Sequence, residues 1–249
     1  PLVNIINLEP EETVTAVLPV ENFGQGKYCA MATRLGRVKR VPITDFENVR
    51  PSGLIAIHLN AGDDLGWVRV TTAQDDLLMV TREGKALRFS ESDVRPTGRT
   101  TMGVTGIRLR GTDRVVSMDV VEPDSYLLII TDKGQGKRTP VDEYLAKSRG
   151  TLGVTTISQE ARPEIGDIAQ AMVVLDGEDI TTITRSGIVL RTKVSDISIQ
   201  GRATQGVRIM DIDEGDTLAA MVRISAQEVE TAAKAHEQAQ AEEAGFTQF

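Results

Sequence analysis

One turn recurs four times along this chain at nearly constant spacing, and it constrains the fold more than any other feature. Each copy reads Thr-x-x-Gly, and the glycines Gly36, Gly84, Gly134 and Gly187 are 48, 50 and 53 residues apart. An apolar run precedes each turn and a basic segment follows it. Because glycine supplies the positive φ that a tight hairpin needs, each copy predicts a strand, a turn and a second strand.

A second motif follows each hairpin and completes a repeat unit. It has the form Arg-x-x-x-Gly-Val at 99–104, 149–154 and 202–207, and a variant, Arg-Pro-Ser-Gly-Leu, stands at 50–54. Each copy continues into a short apolar strand that ends at an isoleucine, namely Ile57, Ile107, Ile157 or Ile209. One more apolar strand closes each unit, at 65–70, 115–120, 168–175 and 218–224. The pattern predicts four short strands per unit.

Four-stranded units with glycine turns and little helical periodicity are typical of propeller-like blades arranged around a centre. A solenoid is less favoured, because solenoid repeats are usually shorter or helical. Residues 1–20 match only the closing half of a unit, with a strand expected at 14–17, so they predict the end of an incomplete blade. We therefore expect an all-β domain over residues 1–224 that represents about five blades, with full units at 21–70, 71–120, 121–175 and 176–224.

The last residues, 225–249, differ from the repeats in composition. Ala, Glu and Gln dominate there, and residues 226–244 contain neither proline nor glycine. Such a segment predicts an acidic tail that is either a solvated helix or disordered. Because its charge is opposite to that of the basic segments, one hypothesis is autoinhibition, in which the tail competes with a polyanion.

Composition argues against several classes of site. The single cysteine, Cys29, excludes a disulfide framework, and its apolar surroundings in sequence predict a core residue. Two distant histidines, His58 and His236, give no metal cluster and no Ser-His-Asp arrangement. There is no P-loop and no apolar run of about 20 residues that could span a bilayer. We expect no catalytic residue, no metal and no cofactor in this chain.

Charge is strongly segregated along the sequence. Windows 27–50, 82–110, 133–149 and 185–208 hold 23 of the 28 basic residues but 8 of the 36 acidic ones. Net charge is therefore +15 inside these windows and −23 outside them, although the whole chain carries −8. If the units are equivalent blades, the windows would form a basic belt around one edge.

A belt of cations around a curved rim suits the bending of duplex DNA. Few aromatic residues occur in the windows, which disfavours single-strand binding by base stacking. There is no recognition helix, so we expect little sequence specificity. Two alternatives remain open: the cations are ordinary solvated surface, or the fold is a propeller-type platform for protein partners.

The hairpin T-R-x-G-x-x-x-R, the loop R-P-T-G-R-T-T-M-G-V-T-G-I-R-L and the closing G-V-R-I-M-D-I-D-E-G-D-T-L together resemble the C-terminal domain of the DNA gyrase A protein. The resemblance covers residues 2 to about 224. It implies a β-pinwheel, a propeller-like disc usually of six blades in which neighbouring blades exchange strands. In that family the basic rim wraps duplex DNA, so that an ATP-dependent type II topoisomerase can introduce negative supercoils.

The family's seven-residue box, Q-R-R-G-G-K-G, is absent from this sequence. The nearest match, at 147–153, keeps Arg149, Gly150 and Gly153. We therefore expect a chain truncated in or after its first blade. The related topoisomerase IV A protein has a similar but less regular disc, and the regular repeats here favour gyrase.

The resemblance also implies partners. In the parent heterotetramer these are the gyrase A N-terminal core, which carries the catalytic tyrosine, and the gyrase B protein. The parent enzyme uses ATP and Mg, and this chain by itself would carry no catalysis. The implied location is the bacterial cytoplasm, in association with the nucleoid and not with a membrane.

The DNA-binding residues implied by the resemblance form two groups. The post-turn cations are Arg37, Lys39, Arg40, Lys85, Arg88, Lys137, Arg138, Arg191 and Lys193. The loop cations are Arg50, Arg95, Arg99, Lys147, Arg149 and Arg202. Because strand side chains alternate between faces, we expect about two-thirds of the set to face DNA.

Overall fold

The computed structural model of the chain describes residues 12–20, 23–24, 26–49, 53–231 and 234. Within these ranges the fold consists of short strands and very little helix. The strands are β1 (Tyr28–Thr33), β2 (Arg37–Pro42), β3 (Leu65–Thr71), β4 (Asp76–Thr81), β5 (Lys85–Ser90), β6 (Val104–Thr105), β7 (Val115–Val120), β8 (Tyr126–Thr131), β9 (Gln135–Pro140), β10 (Val154–Thr155), β11 (Ile168–Val174), β12 (Asp179–Thr184), β13 (Val189–Lys193), β14 (Val207–Arg208) and β15 (Leu218–Ile224). A one-turn helix, α1, spans Arg162–Ile165, and 3₁₀ turns span Ile43–Phe46, Glu91–Asp93, Val141–Glu143 and Val194–Asp196.

Each Thr-x-x-Gly motif forms the tight turn of an antiparallel hairpin, as its sequence predicts. In the first, Gly36 has a φ of 84° and its amide donates to the carbonyl of Thr33 (3.0 Å). The Thr33 hydroxyl accepts a hydrogen bond from the amide of Arg37 (3.1 Å). The third and fourth turns repeat this bond, from Gln135 to Thr131 and from Ile188 to Thr184, both at 3.2 Å. The threonine therefore satisfies an amide that the turn would otherwise leave unpaired.

The chain divides into two compact units. The first comprises Pro1–Thr81, Ala86–Val120 and Ala146–Gly153. It contains one sheet of order β3-β1-β2-β6 and a second in which β4 lies between β5 and β7. Its larger core cluster is apolar and fully buried, and includes Val38, Met79, Phe89, Ile107 and Met118.

The second unit comprises Arg82–Lys85, Val121–Leu145 and Val154–Phe249. Its sheets have the orders β11-β8-β9-β14 and β13-β12-β15. Leu128, Ile130, Ile180, Val194 and Met210 belong to its core. Each core therefore combines residues of the apolar runs before the turns, such as Met79 and Leu128, with residues of the segments that follow the turns.

Short strands are exchanged between successive repeats. Strand β6 follows the second hairpin but pairs with β2 of the first, and β14 follows the fourth hairpin but pairs with β9 of the third. The carbonyl of Gly36 accepts hydrogen bonds from the amides of Gly106 (2.8 Å) and Ile107 (3.2 Å). This agrees with the strand exchange that the family resemblance implies.

Two sequence expectations need correction. Residues 12–20 contain no regular structure, so the strand expected at 14–17 is absent, and residues 1–11 lie outside the described part of the chain. The described ranges therefore hold four sheets where about five blades were expected. The strands expected to end at Ile107, Ile157 and Ile209 are two residues long, and residues 53–57 form none.

The start of the acidic tail is helical over residues 226–231. Ser225 caps this helix reciprocally with Glu228: the Ser225 amide donates to the Glu228 carboxylate (2.8 Å), and the Glu228 amide donates to the Ser225 hydroxyl (3.3 Å). The rest of the tail, apart from Lys234, lies outside the described residues. The predicted disorder of the tail therefore stays a prediction. No helix within the described ranges is long and apolar enough to cross a membrane.

Candidate nucleic-acid interface

The arginine four residues after each turn glycine forms an internal ion pair in every repeat. Its guanidinium lies 2.8–3.1 Å from a carboxylate in three repeats and contacts one in the fourth. The pairs are Arg40–Glu91, Arg88–Asp76, Arg138–Asp176 and Arg191–Asp179. The recurrence of this arginine therefore reflects a repeated structural brace.

The brace is most deeply buried in the first repeat. Arg40 is 6% exposed and Glu91 fully buried. The Arg40 guanidinium also donates to the carbonyl of Val94 (3.0 Å) and stacks over the Tyr28 ring at 4.4 Å. Glu91 additionally accepts a hydrogen bond from the Thr71 hydroxyl (2.6 Å). These bonds satisfy charges that would otherwise be costly to bury.

The lysine before this arginine is also buried in two repeats. Lys39 Nζ donates to the main-chain carbonyls of Ala56, Arg99 and Thr101. Lys137 Nζ donates to the carbonyls of Gly201 and Arg202, both at 2.5 Å, and to the Thr204 hydroxyl at 2.9 Å. Desolvation lowers the pKa of each lysine to about 8. Each lysine thus holds the arginine–glycine loop of the next repeat.

Four of the post-turn cations must therefore be withdrawn from the DNA-facing set: Lys39, Arg40, Lys137 and Arg138. Their exposed fractions are 6% or less, which excludes contact with a phosphate in this fold. Simple alternation fails to predict this, because polar acceptors from the following repeat cover the side chains.

Arg37 and Lys85 are partly buried and also have internal partners. Arg37 donates to the carbonyls of Met102 (2.9 Å) and Gly103 (2.5 Å), and Lys85 to the hydroxyl of Thr155 (2.9 Å). Lys193 differs, since it is exposed and has no carboxylate within ion-pair distance among the described residues.

The loop cations have a different environment. Arg95 and Lys147 are exposed, and Arg99 and Arg202 are half-buried. None of these four has an ion pair with a described acidic residue. Arg149 is held by the carbonyls of Asp93 (2.8 Å) and Thr105 (3.0 Å). Arg50 lies outside the described residues.

These loops are fixed at equivalent points of the hairpins. The amides of Thr97, Lys147 and Gln200 each donate, at 2.9 Å, to the carbonyl of the bracing arginine, which is Arg40, Arg88 and Arg138 respectively. The loop backbone is therefore ordered before any ligand arrives, and contact with a ligand would need to order only side chains.

Sequence reasoning missed a third group of cations, which lies within the turns. Each Thr-x-x-Gly turn carries one exposed cation, at Arg34, Arg82, Lys133 or Arg185. Arg82 is paired with Asp167 (2.9 Å), and Arg34 lies over the Trp67 ring at 5.5 Å. The sequence motif itself could have predicted these cations, because one of the two variable positions of each Thr-x-x-Gly turn is always a basic residue.

Comparison with known proteins identifies related sequences. The model of the DNA gyrase C-terminal domain, described as a beta-propeller, matches residues 27–72, 75–122, 125–174 and 178–225. The DNA gyrase A protein of Mycolicibacterium smegmatis is 39% identical over 222 residues, which is 88% of this chain and 26% of that protein. The gyrase A protein of Klebsiella oxytoca is 40% identical over 225 residues, covering 90% of this chain and 26% of that protein. The chain thus spans about a quarter of the length of these relatives.

Solved structures give the same result for the fold. A DNA gyrase A C-terminal domain superposes with a TM-score of 0.82 at 26% identity, covering 90% of this chain and 74% of the other. A C-terminal domain of DNA topoisomerase IV superposes with a TM-score of 0.85 at 27% identity, covering 95% and 74%. The predicted all-β pinwheel class is confirmed.

Proposed function

The chain belongs to the family of DNA gyrase C-terminal domains, and from this premise we propose that it binds duplex DNA through its arginine–glycine loops and bends it. The bound segment would be wrapped for the strand-passing core of an ATP-dependent type II topoisomerase. The partners would be the gyrase A N-terminal core and the gyrase B protein, in the bacterial cytoplasm. Catalysis, ATP and Mg would belong to those other parts of the enzyme.

The observation that carries this proposal is the contrast between the two groups of cations. The four bracing arginines are neutralised by carboxylates inside the fold, whereas Arg95, Arg99, Lys147 and Arg202 have none among the described residues. A backbone phosphate supplies the anionic acceptor that these side chains lack. Guanidinium and ammonium groups bind phosphates through charge and hydrogen bonds without reading the base sequence.

The same loops favour duplex over single-stranded DNA. They present long cations on a fixed backbone, and Tyr144, three residues before Lys147 in the sequence, is 1% exposed. Its hydroxyl is hydrogen-bonded to Thr156, and burial raises its pKa to about 12. Because this ring is enclosed in the core, it offers no stacking platform to an unpaired base.

Gyrase and topoisomerase IV domains are both close structural neighbours. The gyrase assignment is supported by the curated relatives and by the regularity of the repeats. A topoisomerase IV role is the second candidate, supported by the superposition at a TM-score of 0.85.

The test is binding to a duplex of about 150 base pairs, one persistence length, with relaxation of closed circular DNA alongside. We expect binding that is insensitive to base sequence and much weaker in a double variant, Arg95→Gln with Lys147→Gln. Arg114→Gln, which removes an exposed cation outside the loops, is the matched control and should bind like the parent. Equal binding by the double variant, or no binding at low salt, would refute the proposal. Positive trapped writhe would show wrapping in addition to bending.

A further inference from the structure

In three hairpins, the residue three positions after the turn glycine is buried beneath an arginine–glycine loop. A Cβ atom placed on Gly103 would lie 2.9 Å from the Cβ atom of Lys39, and one placed on Gly153 would lie 3.2 Å from that of Leu87. The pairs of loop arginine and underlying residue are Arg99 with Lys39, Arg149 with Leu87 and Arg202 with Lys137. Equivalent loops therefore pack on a cation in two repeats and on an apolar side chain in one.

The two lysines hold the backbone of the loop arginine and leave its side chain unbound. Lys39 Nζ donates to the main-chain carbonyl of Arg99, and Lys137 Nζ donates to that of Arg202 (2.5 Å). The guanidinium groups of these two arginines have no hydrogen bond or ion pair with any residue that the structure describes. Each guanidinium therefore keeps its five N–H donors available for a ligand.

The loop above Leu87 is held in the opposite way. Arg149 Nε donates to the carbonyl of Asp93 (2.8 Å), and its Nη1 donates to the carbonyl of Thr105 (3.0 Å). Because leucine has no donor for a carbonyl, the side chain of the arginine itself ties this loop to the repeat before it. Its guanidinium is thereby directed towards the protein.

Missing acceptors do not explain the difference. Relative to the turn and loop glycines, Glu143 and Thr155 stand where Asp93 and Thr105 stand one repeat earlier. The Arg202 amide even donates to the Glu143 carboxylate (3.2 Å), so this loop lies beside the equivalent acceptors. Like charges repel strongly where water is excluded. The buried lysine beneath the loop therefore disfavours a second cation at these carbonyls.

We propose that the residue three positions after the turn glycine selects which loop arginines bind phosphate. A lysine there holds the loop and frees Arg99 or Arg202 for the DNA backbone, whereas leucine leaves Arg149 tethered to the protein. This rests on the proposed DNA binding and specifies which arginines take part in it. Lys39 and Lys137 are positioning residues, since they are too deeply buried to touch DNA themselves.

Arg99→Gln and Arg149→Gln form a matched pair, because both arginines stand at the same motif position and are half-buried. Arg99→Gln should make the log–log slope of DNA affinity against salt shallower by about 0.9 and leave the urea midpoint of unfolding unchanged. Arg149→Gln should leave the slope unchanged and lower the urea midpoint, because two hydrogen bonds that hold the loop are lost. Equal changes of slope in the two variants would overturn the proposal.

The role of the underlying residue is tested by Leu87→Lys, which gives the second hairpin the residue of the first and third. The introduced ammonium should hold the loop and release Arg149, so the slope should become steeper by about 0.9. A purely structural position would not produce such a gain. Adding Arg149→Gln should return the slope to that of the parent chain. A folded Leu87→Lys variant with the parent slope, or a steeper slope that persists without Arg149, contradicts the proposal.

The reverse exchange is the second variant, because Leu87 also belongs to the apolar core. Lys39→Leu should make the slope shallower by about 0.9 as Arg99 turns to the protein, and adding Arg99→Gln should change it no further. A further change on adding Arg99→Gln contradicts the proposal. If neither exchange keeps a native circular dichroism spectrum, the matched arginine pair decides. Absence of DNA binding by the parent chain at low salt would instead refute the proposed function, which separates the two failures.

Discussion

The salt dependence of DNA binding measures how many cations contact phosphates. Log affinity falls with log salt at a slope of about −0.9 for each neutralised phosphate. The full set of fifteen candidate cations would give a slope of about −13. Of these fifteen, five are described and have no side-chain hydrogen bond or ion pair with another described residue: Arg95, Arg99, Lys147, Lys193 and Arg202. We therefore predict a slope of about −4.5.

The difference is large in practice. Between 50 and 200 mM salt, a slope of about −4.5 corresponds to a loss of affinity of roughly 500-fold, and a slope of about −13 to roughly 10⁸-fold. Fluorescence anisotropy on a labelled duplex, titrated at several salt concentrations, measures the slope directly. A slope near −13 would mean that the internal ion pairs open on binding, contrary to this reasoning.

Single substitutions sharpen the test. Lys147→Gln should make the slope shallower by about 0.9, because an exposed and unpaired cation is lost. Arg191→Gln removes a cation whose side chain is 48% exposed but paired with Asp179 at 2.8 Å. This control should leave the slope unchanged. If both substitutions change the slope equally, internal pairing does not decide which cations bind DNA.

Three further predictions concern stability, each measured by urea unfolding. Gly36→Ala should cost about 1–3 kcal/mol more than Gly187→Ala, although both substitutions strain a positive φ. Only a Cβ atom on Gly36 would collide with the exchanged segment, 2.6 Å from the carbonyl oxygen of Ile107, whereas no described atom lies within 4 Å of the Cβ position at Gly187. Equal losses would contradict the strand exchange. Glu91→Ala should cost about 3–5 kcal/mol, since it leaves the buried Arg40 unpaired. Asp211→Ala, which breaks the exposed pair between Asp211 and Arg208, should cost less than about 1 kcal/mol. The unfolding free energy should rise from pH 8 towards pH 9, because the pKa values of Lys39 and Lys137 are lowered to about 8 in the fold while the unfolded chain keeps those protons up to about pH 10.4. Above about pH 9 the thiol of Cys29 opposes this rise, since burial raises its pKa to about 11. Lys137→Leu should remove about half of the rise, and an unchanged pH profile would show that the buried amine keeps its charge.

The sequence predicts the strands well, because they depend on local patterns. The closing strands expected at 65–70 and 115–120 are β3 and β7, and the turn glycines have the positive φ that the motif requires. The strand expected at 14–17 is absent, since residues 12–20 contain no regular structure.

The candidate site was harder to predict, because charge says nothing about neighbours distant in sequence. Arg40 and Arg95 are both basic residues in the same kind of window, yet one is buried against Glu91 and the other is exposed. The partner of Arg40 is 51 residues further on. Every bracing arginine stands four residues after a turn glycine, but the sequence does not show that this position has a carboxylate partner, so the predicted set mixed the two groups.

The exchange of strands also determines when each hairpin can be finished in the cell. The site at Gly36 receives Ile107, about 70 residues later in the chain. At a synthesis rate of roughly 5–20 residues per second, the first hairpin waits several seconds for its last strand. During that time its edge is open beside other nascent chains, so a ribosomal pause inside the second repeat would lengthen the period in which misassembly competes with folding.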